Sequence, residues 1–468
     1  MRYAAADEAR HTGPVGIALP AARARPAGSA PAVTGSAPAG LRRAQLRTIA
    51  LLFGGYAACY YCRADLSVAT PLLVEELGRH GVAHGEALIR IGSLTSLGVL
   101  AYALGKLFLT GLGDYWGGRR NFLIGVGGAA AFTLLFALGG ALPVFTLAWL
   151  GNRLTQSVGW AGLIKVSSKW FNYSAYGSVV GILSISYLVG DALARQQMGL
   201  LIAHGYGWRA LFLFAALVAA GMLLANLLWL RESRVEEGHA EATPNPLNLF
   251  AGSELRPASV AALLLPLLRS RAFLLVCLLS FACTIIRETF NTWTPAYLRD
   301  HLGYSMSDAA AMSAIFPGVG VLSVLLAGWL SDRLGLNGRA LLMLLGLGAS
   351  AGALIALVSV PAGSTHALLP LVTIGLVAFC LLGPYSYLGG AFALDFGGKQ
   401  ASAASSGIID GIGYLGGVLA GDSVARLAVA FGWQGVFVAL AAVSVAAALC
   451  AAALYLLNTR AVAQAVHA

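Results

Sequence analysis

Two arginines hold the chemistry of this sequence. Arg63 stands eight residues before Pro71 and Arg287 eight before Pro295. Each proline follows a threonine, and the copies lie 224 positions apart. Both arginines fall deep within long apolar stretches. A guanidinium inside a bilayer costs about 2.5–3.5 kcal/mol on insertion scales, so its presence there points to a function. The group stays protonated, and its planar fork meets two oxygens of an anion at once. Two forks roughly match a dianionic phosphate monoester. The competing use is an internal ion pair. Asp65 lies about 200° round a helix from Arg63 and Glu288 about 100° from Arg287, so neither acid is an automatic partner.

The elements that must position these groups are membrane helices. The chain has 468 residues, 58% hydrophobic and 11% charged, with mean hydropathy +0.77; an ordinary soluble domain carries about a quarter charged residues. Runs long enough to cross a bilayer, about 20 residues each, recur at 45–73, 87–112, 120–141, 143–170, 177–203 and 208–230. They resume at 272–298, 307–332, 338–360, 366–394, 400–429 and 434–458. These are spans 1 to 12 below. The predicted fold is an all-α membrane protein, with twelve transmembrane helices in two pseudo-symmetric six-helix bundles. Residues 1–44 read as a disordered tail, 45–230 as the first bundle, 231–271 as a linker and 272–460 as the second bundle. The linker begins polar and ends in an apolar-faced interfacial segment, 258–269.

Arg42, Arg43, Arg47, Arg119, Arg120, Arg231, Arg234, Arg333, Arg339 and Lys399 gather in the tail and in alternate loops, which places both termini in the cytoplasm. This asymmetry accounts for the net charge of +10 without nucleic acid. All six cysteines fall inside apolar spans and read as small buried residues, not metal ligands or redox groups. The stretch 411–416 has the letters of a dinucleotide fingerprint, but it follows no strand, and glycines inside a span serve close helix contact instead. With no Walker motif, metal-ligand cluster or nucleophile elbow, the reading is a non-enzyme without cofactors.

The offset near 224 recurs beyond the arginines. Gly113-Asp114 is answered by Ser331-Asp332, Gly207-Trp208 by Gly432-Trp433, and Tyr187…Gly190 by Tyr414…Gly417. Several matches in one order argue for duplication. An offset of six spans keeps both halves crossing in the same direction, related by an axis along the membrane normal.

Gly328-Trp-Leu-Ser-Asp332-Arg333, followed by Gly335 and Arg339, resembles the loop signature of the major facilitator superfamily, with Asp114, Arg119 and Arg120 in a degenerate first copy. Within it, Tyr60…Arg63…Pro71, Gly105-Lys106, Gly159-Trp160…Lys169-Trp170 and Arg287…Pro295 resemble the organophosphate:inorganic phosphate antiporters, over roughly residues 45–455. The resemblance implies that Arg63 and Arg287 are paired phosphate ligands, that Tyr56, Tyr60 and Tyr102 line the cavity, and that Lys106, Lys169 and Tyr414 stand near the substrate. Residue by residue, each lysine serves equally as a snorkelling span end, and each tyrosine as packing. Asp191, Asp410 and Glu288 are candidates for coupling or charge pairing, and Asp114, Arg119, Asp332 and Arg333 form a conformational latch. Ala64 replaces the family's usual lysine and Glu288 adds an acid, which makes the site less positive. The implied function is exchange of a sugar phosphate or glycerol phosphate for inorganic phosphate, by a monomer in a bacterial inner membrane. The alternatives are a proton-coupled carrier of another organic anion and a transporter-like sugar-phosphate sensor.

Overall fold

The computed structural model describes residues 39–109, 117–242, 265, 267–364, 368–397 and 402–467, and every element among them is helical. Span 1 is the helix Ala39–Arg79. It begins earlier than predicted, so residues 39–44 are helical, not disordered. Alanine, leucine and arginine lose little freedom in a helix and carry it back past the bilayer edge. The tail before residue 39, most of the predicted interfacial segment 258–269, and Lys399 lie outside the described residues.

Spans 2, 3 and 6 are the single helices His84–Phe108, Gly118–Leu138 and Trp208–Trp229. Span 4 divides into Leu142–Gln156 and Gly159–Trp170, and span 5 into Tyr173–Ser184 and Ser186–Ala203. Span 7 is Arg271–Asp300. Span 8 opens as Met306–Met312 and continues in Ile315–Val358, which runs on through span 9. Span 10 begins as Leu368–Tyr385 and span 11 as Ser402–Gly417. Asp422–His467 carries the end of span 11 into span 12, broken at Gly432, where φ is 69°. Among the described residues eight stretches are long and apolar enough to cross a membrane, and the last of them, Ser405–Thr459, covers both spans 11 and 12. Spans 1, 4 and 5 fall short because they are interrupted or carry the polar side chains described below.

The duplication is visible in backbone contact. A Cβ on Gly190 of span 5 would meet the Ala57 carbonyl oxygen of span 1 at 2.5 Å, and one on Gly416 of span 11 would meet that of Phe281 in span 7 at 2.4 Å. Ala57 and Phe281 are themselves 224 positions apart. The repeated glycines let span 5 press on span 1 and span 11 on span 7 without a side chain between them.

Odd spans run away from the face where the first described helix begins and the last one ends, here the near face, toward the far face. The two halves meet along spans 2 and 11. Gly85 lies against Val429, Gly92 against Gly421 and Val99 against Gly417. Farther along, the Tyr102 and Tyr414 rings lie 4.7 Å apart, and Leu107 covers Gly411. Ser93 Oγ donates to Asp422 Oδ1 at 2.6 Å and Ser96 Oγ to the Val418 carbonyl at 2.5 Å. A Cβ on Gly421 would stand 2.4 Å from the Gly92 carbonyl oxygen. Gly421→Leu should therefore wedge the far face open and cost about 1–3 kcal/mol. Faster labelling of a cysteine introduced at Ser93 by a membrane-impermeant thiol reagent would confirm it, and unchanged labelling would refute it.

Candidate functional site

Spans 1 and 7 bring Arg63 and Arg287 to one cavity between the halves, whose charged lining also holds Arg153, Arg195, Asp191 and Glu288. Arg63 Nη1 donates to the Tyr60 hydroxyl at 2.9 Å, and its guanidinium carbon lies 4.3 Å from the centre of the Tyr102 ring. No carboxylate pairs with it among the described residues. Asp65 does face away, as the helical angle predicts: its Oδ1 accepts from the Leu66 N–H at 2.7 Å, and its Oδ2 has no partner among the described residues.

Arg287, by contrast, is paired, and Glu288 takes the charge-pairing role for which it was a candidate. Its Nη1 donates to Glu288 Oε1 at 2.9 Å, with the hydroxyls of Tyr414 at 3.3 Å and Tyr385 at 3.4 Å. Adjacent helix positions diverge by about 100°, but both side chains are long and bend into the same gap, where low polarity strengthens their attraction. Glu288 is thus a direct partner. The rings of Tyr385 and Tyr187 lie 5.0 and 5.6 Å from the Arg287 guanidinium carbon.

Asp191 pairs with Arg195, one turn along span 5, at 2.9 Å, and both are buried. Arg195 crosses between the halves, donating from Nη2 to the Asn291 carbonyl at 2.6 Å and from Nη1 to Ser313 Oγ at 3.0 Å. Ser67 Oγ of span 1 donates to the same carbonyl at 2.8 Å. Pro295 explains the free acceptor. It sits inside the span 7 helix and lacks the N–H that would bond the carbonyl four residues back, which is that of Asn291. On the near-face side, Lys106 Nζ reaches Asp410 Oδ2 at 3.5 Å and stands 5.7 Å from the Tyr102 ring centre. Tyr56 extends the aromatic wall, 5.7 Å from Tyr60 and 5.2 Å from Trp160 between ring centres.

Residues 52–421 match the Major Facilitator Superfamily. The chain belongs to that superfamily. It is 26% identical over 415 residues to a probable hexose phosphate transport protein of Chlamydia trachomatis, covering 85% of this chain and 88% of the relative. Identity is 23% with a glycerol-3-phosphate transporter of Bacillus subtilis (86% and 90% covered). It is 27% with the membrane sensor protein UhpC of Escherichia coli (85% and 89% covered). Among solved structures, an inward-facing, unoccupied bacterial homologue of the human lysosomal transporter Spinster superposes with a TM-score of 0.67 at 17% identity, covering 92% of this chain and 99% of that one. The chain is a multi-pass membrane protein of a transporter superfamily and not an enzyme.

Other superfamily signature residues lie at the near face. Lys169, expected near the substrate, ends the second piece of span 4 and donates to Glu232 Oε1 at 2.6 Å; it does not line the cavity. Glu232 also accepts from the backbone N–H groups of Gly118 at 2.9 Å and Arg119 at 2.6 Å. A carboxylate is favoured at that helix start and a lysine at a helix end, which fixes both. The Arg119 side chain donates to the carbonyls of Leu230 at 2.6 Å and Leu227 at 2.8 Å, capping span 6. In the second half Arg333 lies over the Trp329 ring at 3.9 Å, and Arg339 Nη1 donates to Asp395 Oδ2 at 2.6 Å. Asp114 and the side chain of Asp332 lie outside the described residues.

The Glu232 cluster predicts a pH dependence. Partial burial alone would raise its carboxyl, but the Lys169 hydrogen bond and the Arg119 and Gly118 N–H groups hold it below its usual range. A depressed carboxyl contributes stability above its unfolded value, and that contribution is lost as pH falls through the folded one. Glu232→Gln should lower stability at pH 7 by about 1 kcal/mol, discounted for solvent screening. Melting temperatures of the two proteins should converge as the pH falls below the ordinary Glu value, about 4.3. A gap unchanged by acid would contradict this.

Proposed function

We propose that the chain is a secondary transporter that exchanges a sugar phosphate or glycerol phosphate for inorganic phosphate by alternating access. One observation carries the reading: among the described residues Arg63 has no carboxylate partner, and it shares with Arg287 a cavity in which four guanidinium groups are lined up against two carboxylates. A phosphate dianion supplies the two missing negative charges. With the site empty, enclosing that surplus is opposed by repulsion and desolvation. A bound phosphoryl group relieves both, so the loaded carrier reorients and the empty one does not. The outcome is exchange without leak.

The probable hexose phosphate and glycerol-3-phosphate relatives support this substrate class. Pairing supports exchange over proton coupling, because Asp191, Asp410 and Glu288 are each held by a base. Arg63, Arg287, Tyr60, Tyr102 and Tyr414 form the site, with Lys106 beside it. The bundles 45–230 and 272–460 are the moving units, acting as a monomer. Asp114, Arg119, Asp332 and Arg333 latch the near face, which is cytoplasmic in a bacterial inner membrane. Counterflow into phosphate-loaded proteoliposomes tests the reading: glucose 6-phosphate or glycerol 3-phosphate should enter only against internal phosphate, and an uncoupler should not stop it. Collapse with the uncoupler would overturn it. The likeness to UhpC favours a second reading, a sensor, which would bind the ester without any flux.

A further inference from the structure

Among the described residues Arg153 is the cavity arginine with neither a partner acid nor a counterpart in the repeat. It lies on the Leu142–Gln156 piece of span 4, is 6% exposed and lines the same cavity as Arg63 and Arg287. Its guanidinium carbon stands 4.5 Å from the Trp149 ring centre, and its Nε has no hydrogen-bond partner among the described residues. The pair is cradled by Gly98, where a Cβ would meet Trp149 Nε1 at 2.3 Å and Arg153 Cγ at 3.1 Å. No ion pair is formed by Arg153 among the described residues. A buried guanidinium without a partner is costly to keep, and the indole can fix its plane but cannot neutralise it.

The acids of the cavity lining are already engaged, Asp191 by Arg195 and Glu288 by Arg287. Asp65 makes no contact with Arg153: its Oδ1 accepts from the Leu66 N–H, and its Oδ2 has no partner among the described residues. Among the described residues two lining arginines are therefore left without a carboxylate, Arg63 and Arg153, both from the first half. Resting on the exchange reading, we infer that Arg153 is a third ligand of the substrate's phosphoryl group, replacing the charge that Glu288 withdraws from Arg287. The site is then a three-arginine clamp tempered by one acid. Trp149 holds the Arg153 fork, Tyr60 and Tyr102 hold that of Arg63, and Arg287 closes from the other half.

The test uses the full-length protein purified in detergent, with inorganic phosphate and glucose 6-phosphate as probes and calorimetric titration as readout. Arg153→Gln should weaken both by about tenfold or more, the loss of one charge-assisted contact. Arg153→Lys keeps the charge, gives a second variant should the glutamine one be unstable, and should weaken them by about threefold. Adding Glu288→Gln to Arg153→Gln should restore binding to within about threefold of wild type, because it returns Arg287 to the anion. A merely structural arginine predicts no such rescue. Wild-type affinity in both single variants overturns the inference, as does rescue by Asp65→Asn in place of Glu288→Gln, which would make Arg153 a counterion of Asp65. If the wild-type protein binds neither probe, the exchange reading falls and takes this inference with it. If it binds both and the Arg153 variants bind equally, this inference falls alone.

Discussion

Arg63→Lys is expected to abolish exchange while leaving the protein folded. Arg63 is positioned by the Tyr60 hydroxyl and the Tyr102 ring, with no acid to hold it among the described residues. Lysine keeps the charge but presents a single point in place of a two-pronged donor. Losing one charged hydrogen bond to the phosphoryl group and the orientation of the other amounts to about 3 kcal/mol, or roughly a hundredfold in affinity. Arg287→Lys should fail as well, for a different reason: one ammonium cannot serve both Glu288 and a phosphate with the geometry of a fork. Initial rates of phosphate counterflow would check both, with melting curves to show that each variant is folded. Normal exchange by either would remove the arginine pair from the site.

The second large effect is expected at Arg195. Truncating it to alanine leaves Asp191 buried without a base and takes a donor from the Asn291 carbonyl, so about 3–5 kcal/mol should be lost. Much of that loss should appear as separation of the halves at the far face, because Arg195 is bonded to Asn291 and Ser313 of the other half. Spin labels at His204 and Ser307, at the far-face ends of spans 5 and 8, should report a longer distance in Arg195→Ala than in wild type. The double variant Asp191→Ala/Arg195→Ala should be more stable than Arg195→Ala alone, since no lone charge remains. Unchanged label distances would make the pair a local brace within span 5.

The two halves and the depth of the arginine pair were legible because burial in lipid leaves a coarse signal: long apolar runs, a duplicated Arg…Thr-Pro and paired glycines. Asp65 was also placed correctly by helical angle alone. What angle could not supply was side-chain reach. Glu288 is one position from Arg287 and bends back to it, and Lys169, equally at home as a span end or a site residue by sequence, turned to Glu232 at the near face. Arg153 and Arg195 are not legible in the same way, because neither has a counterpart in the repeat and a single arginine in a span gives no spacing to read. A signal for Arg195 was present nonetheless. Pro295 frees the carbonyl of Asn291, and a freed carbonyl inside a membrane calls for a donor; Arg195, one turn from Asp191, is that donor. Tyr385 and Tyr187 were hidden for a simpler reason, since an aromatic in a span looks the same whether it packs or faces a cavity.

Spans 2 and 11 touch from Gly85 against Val429 to Leu107 against Gly411, nearly the full thickness of the bilayer, whereas Arg195 and Gly199 of span 5 meet Ser313 and Ala311 of span 8 nearer the far face. A contact of that length resists being pulled apart but tolerates twist, since much of it is glycine. Rolling on that seam about an axis in the membrane plane, the halves should part spans 5 and 8 at the far face as they close the near face. Cargo would pass that parting edge, and Tyr102 and Tyr414 on the seam would stay beside it throughout the cycle.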